Sequence, residues 1–515
     1  MANTSRSRKS CQRSFSTVCT VASVALACSP YAHAAEWRIS PGLDLRETYT
    51  DNLALDTPGA EQSDFVTEVS PHLSLVGEGH RLKFNAMYAM RHFMYARSDN
   101  GATTLHQLSA AANAELLSNL FFMDGKASIS PQSVSAFGPQ VADRGNVTDN
   151  RAEVKTFSIS PYLQHRFGSA ASTELRYTHD SVSSDAGGLL DSQSDRVLLR
   201  MDSGAAFRTI QWGWRYDDQK IDYDNAAPVD MRTLSGNVRY LISPRFSLDA
   251  TAGYEKNNYI SIAEKPEGSF WTLGATWAPS ERTSLSASAG KRYFGDTWSL
   301  AAHHRTRLTN WTLAYHEDIT TARSQFQVPV TIDTSAFLNQ LWSASIPDPV
   351  VRQQFVDAFI REMALSPTLS QPVNSFTNRV FLQKSIQASA AFSGVRNTLV
   401  VSLFRTLRDP QSPRGADVMV PGSIDDDTKQ VGAQAMWNVQ ITPRTHANIG
   451  TGYTRVTSRT TDRKDEQLTM RVGLTRQFQP KLKGGIEMRR LEQKTNIGRG
   501  DIRENALTAF LSLSF

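Results

Sequence analysis

Asn505-Ala-Leu-Thr-Ala-Phe-Leu-Ser-Leu-Ser-Phe515 is the stretch whose reading decides the fold. In an extended chain successive side chains point to opposite faces, so Leu507, Ala509, Leu511, Leu513 and Phe515 share one face. Thr508, Ser512 and Ser514 share the other, with Phe510 the misfit. One face suits hydrocarbon and the other suits water. The edge strand of a soluble sandwich alternates in the same way, so the number of such strands has to decide.

From Glu36 onward the chain repeats one unit: an alternating segment of about ten residues or more, a short turn, another such segment, then a longer polar loop. Short turns are read at Gly77–His80, Ser118-Asn119, Gly168–Ala171, Arg208-Thr209, Ser243–Arg245, Pro279–Arg282, Thr309-Asn310, Ser393-Gly394, Thr442–Arg444 and Gln479–Lys481. Ile242-Ser-Pro-Arg-Phe-Ser-Leu248, Trp277-Ala-Pro-Ser-Glu-Arg-Thr-Ser-Leu285 and Ile441-Thr-Pro-Arg-Thr-His-Ala447 repeat the same device. In each, proline fixes φ at a turn and gives up an N–H that a central ladder would need. Ten turns join twenty strands, and one more at each end makes about 22, with 18–22 the range that soft boundaries allow. So many strands without a linker do not fit stacked sandwiches. The expectation is an all-β, transmembrane, antiparallel up-and-down β-barrel.

Composition agrees. Apolar residues make up 40% of the 515, and the mean hydropathy is −0.38. No segment beyond the N-terminal region reads as a spanning helix, whereas a barrel strand hides its apolar character in every second position. Residues 1–34 read as a signal peptide: Arg6, Arg8, Lys9 and Arg13, the apolar run Val18 to Ala27, then Ala32-His33-Ala34. Residues 35–515 form the barrel unit. Four basic and no acidic residues leave with the signal, taking the formal balance from +5 to +1, so no nucleic-acid partner is expected. Cys11, Cys19 and Cys28 all precede residue 35, which excludes disulfides, thiolate metal sites and cysteine nucleophiles in the remainder.

One region breaks the rhythm. Over 324–375 the alternation fails, and 349–365 reads as a helix, with Asp348 to cap it and Pro349 in its first turn. Phe355, Phe359, Ile360 and Met363 lie on its apolar face and are candidates for a gating element. The loop belongs on the extracellular side, where the helix folds into the lumen, packs over the rim, or simply covers apolar loop residues. Arg176, Arg200, Arg215, Arg239, Asp202, Asp249 and Glu255 are candidates for a lumen face, a polar path with no strong preference for charge sign. Aromatic residues gather toward strand ends: Trp212, Trp214 and Tyr216; Phe270, Trp271 and Trp277; Tyr293, Phe294 and Trp298; Trp311 and Tyr315. They suit a girdle at the headgroup level, though aromatics also favour sheets in general.

No catalytic or cofactor motif is present: there is no Gly-x-Ser-x-Gly elbow, zinc helix, phosphate loop or calcium loop. Adjacent His303 and His304 point to opposite faces of a strand and cannot chelate by themselves. His179 and His316 with nearby serines, and the acidic run Asp425 to Asp427, are weak candidates for wall hydrolysis and for calcium. No catalytic residue, metal or cofactor is assigned.

Trp37-Arg-Ile-Ser-Pro-Gly-Leu-Asp-Leu-Arg-Glu-Thr-Tyr-Thr-Asp-Asn-Leu53 resembles the opening of the PEP-CTERM system-associated outer-membrane β-barrel proteins. Leu382-Gln-Lys-Ser-Ile-Gln-Ala-Ser-Ala-Ala-Phe-Ser-Gly-Val-Arg-Asn-Thr-Leu399 is similar to the C-terminal half of that family. The resemblance implies the outer membrane of a Gram-negative cell, an exosortase and exopolysaccharide context, and a porin-like conduit for exported polysaccharide. It also implies outer-membrane lipid, the barrel-assembly machinery, polysaccharide and periplasmic export proteins as partners. The terminal aromatic Phe515 resembles the assembly signal of such barrels. The alternatives are a structural or adhesive surface barrel with a plugged lumen and an outer-membrane enzyme acting on lipid or polysaccharide.

Overall fold

The computed structural model describes residues 36–98, 101–140, 145–185, 189–224, 226–262, 265–327, 337–339, 342, 352, 356, 373, 376–413, 427–497 and 500–515. The expected signal peptide, 1–34, lies outside them. Twenty-two strands follow one another round a single antiparallel sheet. The first eleven are β1 (Glu36–Thr50), β2 (Asp64–Glu78), β3 (Leu82–Tyr95), β4 (Thr103–Leu117), β5 (Phe121–Gln132), β6 (Ala152–Phe167), β7 (Ala171–Ser184), β8 (Ser192–Ser203), β9 (Ile210–Tyr223), β10 (Val229–Ser243) and β11 (Phe246–Asn257). Next come β12 (Glu267–Ser280), β13 (Thr283–Arg292), β14 (Gly295–Arg305), β15 (Thr309–Thr321), β16 (Val380–Ser393), β17 (Asn397–Pro410), β18 (Thr428–Thr442), β19 (Thr445–Ser458), β20 (Lys464–Gln479), β21 (Leu482–Thr495) and β22 (Ile502–Ser514). Each strand pairs with the next. β22 closes on β1 from Gly42↔Ser514 to Thr50↔Ala506, so no open edge remains. No helix among the described residues is long and apolar enough to cross a membrane.

Nine of the ten observed short turns overlap those read from the sequence. The other differs: Thr309 and Asn310 belong to β15, and the chain turns at Thr306-Arg307-Leu308. The Thr306 hydroxyl accepts the N–H groups of Leu308 (3.3 Å) and Thr309 (3.0 Å), which fixes the turn early. Asn310 then enters the ladder and is buried inside the ring.

The outward faces carry the apolar residues. Leu507, Leu511, Leu513 and Phe515 are all exposed, while Thr508 on the opposite face is buried. Phe510 points inward under the Arg46 guanidinium, 5.5 Å from its ring centre. Aromatic pairs mark the two rims of the band. Trp37 meets Phe84 near the short turns (ring centres 5.9 Å apart), and Tyr49 meets Phe65 near the long loops (5.1 Å). From Trp37 to Tyr49 the strand rises about 40 Å, or about 30 Å along the axis at the usual tilt, which matches a hydrocarbon layer and its borders. Beyond the upper rim the outer wall of β7–β10 turns polar. Tyr177 and His179 both bond Asp195 there, and Arg232 bonds Asp218.

Two long-loop connections fold inward. Between β5 and β6, the Gly138 N–H donates to Asp465 on β20 (2.9 Å), and Asn146 Nδ2 donates to Glu504 on β22 (2.8 Å). Between β15 and β16, a short helix α1 (Ala322–Gln327) sets Arg323 against Asp180 and Ser192. Further on, Phe337, Leu338, Trp342 and Val356 are buried. Asn310 Nδ2 donates to the Phe337 carbonyl (3.4 Å) close to the short-turn end, so this connection reaches far down the interior. The connections meet where the Phe376 N–H donates to the Val134 carbonyl (2.9 Å). Of the helix expected at 349–365, only Arg352 and Val356 are described, and both are helical. Phe355, Phe359, Ile360 and Met363 lie outside the described residues.

Candidate functional site: the lumen

Every second residue of β5–β15 points inward, and the inward positions carry alternating charge. Arg176 donates to Asp124 (2.7 Å) and Glu174 (2.8 Å), with its guanidinium 3.8 Å from the centre of the Tyr162 ring. In ladder register, Glu174 faces Arg200 and Arg200 faces Arg215. Arg200 pairs with Asp202 (2.6 Å) and Arg215 with Asp217 (2.6 Å), while Arg196 holds Asp217 from the next strand. Arg239 lies in register with Asp249. Asp249 leans across Gly274, where a Cβ would meet its Oδ2 at 2.4 Å, so a side chain there would displace the carboxylate. Glu255, almost fully buried, takes Arg292 at 2.7 Å, and Arg292 also reaches Asp318 at 2.8 Å.

All seven lumen candidates from the sequence therefore sit on the inner wall, on β7 to β11, joined to one another or to neighbouring side chains by register or ion pairs. The structure adds Asp124, Glu174, Arg196, Asp217, Arg292 and Asp318, whose alternating positions already placed them on inward faces. The thirteen comprise six arginines and seven carboxylates, so the ladder is nearly balanced. Most arginines are held by carboxylates, which keeps them extended along the wall instead of across the passage.

The ladder is wet: the side chains of Arg200, Arg215 and Asp318 are 57%, 47% and 62% exposed inside the ring. The adjoining wall is dry. Asn310, Gln387, Ser389, Ala391, Val400, Ser402 and Gln430 are inward residues of β15–β18 and all are buried, the in-folded connection lying against them. Arg408 bonds Gln325 of α1 (2.6 Å), and Gln430 exchanges hydrogen bonds with the Val373 backbone (2.8 and 2.9 Å). Among the described residues, open space lies along β7–β14.

The weak catalytic candidates do not converge. His179 lies on the outer wall above the band, whereas His316 is in register with inward Ser385. His303 faces inward opposite Ser284, and His304 faces outward opposite Trp311. No group of three metal-ligating side chains occurs among the described residues. Asp425 and Asp426 lie outside the described residues, and Asp427 pairs with Arg459 (3.2 Å). Among the girdle candidates Phe270 departs, facing inward over Gly253, while Trp271, Trp277, Trp298 and Trp311 are exposed on the outer face.

No protein-family model and no curated protein sequence matches the chain. Among solved structures it is similar to the siderophore receptor PirA from Pseudomonas aeruginosa (9% identity, 93% of this chain and 80% of that one, TM-score 0.45). It is likewise similar to PirA from Acinetobacter baumannii (8%, 93% and 80%, TM-score 0.48) and to the outer membrane protein OpdK from Pseudomonas aeruginosa (8%, 93% and 99%, TM-score 0.35). A ring closed on itself, greasy around its girth and wet within, has a single setting that suits it, and the chain is an outer-membrane β-barrel.

Proposed function

We propose that the barrel is a passive conduit for an exported polysaccharide. The observation that carries this reading is the lumen formed by the described residues: a hydrated, nearly charge-balanced ladder along β7–β14 beside a connection folded against the adjoining wall of β15–β18. Balanced charge suits a neutral or weakly charged polymer, and Phe270 offers an inward aromatic face on which sugar rings can stack. The resemblance of Trp37–Leu53 and Leu382–Leu399 to the exosortase-linked barrels favours exopolysaccharide as the cargo and periplasmic export proteins as partners. The reading calls for no catalytic step and no cofactor.

The test is planar-bilayer conductance of the full protein and of a variant lacking residues 328–372. Low conductance that rises on deletion and falls again when a neutral dextran is added is the expected result. Silence from both proteins overturns the conduit. It would favour a plugged structural or adhesive barrel, a reading supported by the buried inner faces of β15–β18.

A further inference from the structure

Between β14 and β15 the wall is incomplete. Their ladder runs from Arg305↔Asn310 to Leu300↔Tyr315 and stops there. Gly295–Ser299 stay paired with β13, and His316–Thr320 stay paired with β16, yet these two edges bear no ladder to each other. Backbone groups left unpaired at membrane depth are costly, so irregular wall persists only where water, protein or a polar group can meet it.

The gap is framed as a window. Its sill is Leu300↔Tyr315. The β13–β14 hairpin turns early, at Tyr293-Phe294, and the β11–β12 loop passes over it. The Tyr259 and Tyr293 hydroxyls lie 3.0 Å apart, and the Ile262 N–H donates to the Gln411 carbonyl just past β17 (2.9 Å). Burial pushes the titration of both tyrosine hydroxyls up, far more so at Tyr293, and the lintel is neutral.

A recess of about 380 Å³ lies behind the gap. Arg215, Asp217, Phe270, Arg292 and Asp318 line it from the lumen, but so do Trp298 and Glu317, which have outward parity, so the recess reaches through the wall. On the outer face Trp212, Val238, Ala250, Leu273, Ala289 and Trp298 form one apolar register row. Glu317 would come next on that row. It is 8% exposed; its Oε1 takes the Tyr315 hydroxyl and lies 3.7 Å from Lys384 Nζ, while its buried Oε2 has no partner. Above, Ile260 and Ile262 are exposed at 72% and 59%.

We propose that this window admits an acyl-chain amphiphile of the surrounding membrane, its chain passing Trp298 and its head donating a hydrogen bond to Glu317 Oε2. The head is neutral or cationic: Arg215 and Arg292 are already held by Asp217, Glu255 and Asp318, so the recess has surplus carboxylate and no free cation for an anionic group. The proposal stands apart from the conduit reading, since lipid entry is read without any measurement of conductance.

The experiment places the photoreactive residue benzoylphenylalanine at Ser299, inward at the window, in the full chain reconstituted in phosphatidylethanolamine vesicles. Thr251, inward behind an intact wall, is the negative control, and lipid-facing Leu273 is the positive one. Thr297 replaces Ser299 if that variant loses heat-modifiable gel migration. Illumination is expected to attach lipid at 299 but not at 251, with Glu317→Leu reducing the adduct to the level at 251. No adduct at 299, equal adducts at 299 and 251, or an adduct indifferent to Glu317→Leu overturns the proposal.

Discussion

Glu504 shows how much a single inward side chain can hold. Its carboxylate takes Arg489 (2.8 Å), Thr50 (2.8 Å) and Asn146 (2.8 Å), tying β21, β1 and the β5–β6 loop together in a dry site. Removing one partner of a buried pair strands the other charge, so Glu504→Ala should destabilise the barrel by about 3–5 kcal/mol. The midpoint of urea unfolding in vesicles, followed by tryptophan fluorescence, checks this. Asp180→Asn strands the buried Arg323 of α1 in the same way, so the expected outcome is a comparable fall in the unfolding midpoint together with raised channel conductance as α1 loosens. Parity in the sequence was enough to place Arg176, Arg200, Arg215, Arg239, Asp202, Asp249 and Glu255 on inward faces. It could not name Asp124 or Asp318 as partners of Arg176 and Arg292, because each partner lies two strands away and the match depends on the register of the strands and the reach of the arginine. Phe510 and Phe270 break the pattern for a local reason: each covers an inward neighbour, Arg46 and Gly253.

At the level of the strand, the two faces of β22 make opposite demands. Leu511 faces lipid and Ser512 faces the lumen, so Leu511→Arg should cost about 2–4 kcal/mol near the bilayer midplane while Ser512→Arg is tolerated. Heat-modifiable migration of the two variants, compared over a temperature series, distinguishes them. Turns were legible because proline and glycine announce them. The Ser118-Asn119 turn has neither and is marked instead by Asn119 at φ 56°, while the turn before β15 was missed because there a threonine hydroxyl does the work. α1 went unread because six residues are too few to display a helical period.

For the whole molecule, the ladder along β7–β14 is nearly neutral in sum, so the passage should discriminate weakly between small cations and anions. Reversal potentials under a potassium chloride gradient should lie near zero for the natural protein and move toward cation preference for Arg215→Glu. Strand number and closure could be counted from turns alone, since parity and spacing are local properties. The dry wall of β15–β18 could not, for it arises where the β15–β16 connection comes to rest, a contact between positions with no repeating pattern. The β14–β15 joint has six paired positions, fewer than any other in the ring, whereas the β1–β22 closure has nine. Under tension a hoop parts at its weakest rivet line. Pulled between handles on β14 and β15 in a force-spectroscopy experiment, this one should open first along that seam into a single sheet still joined through the β22–β1 closure, before any strand unzips singly.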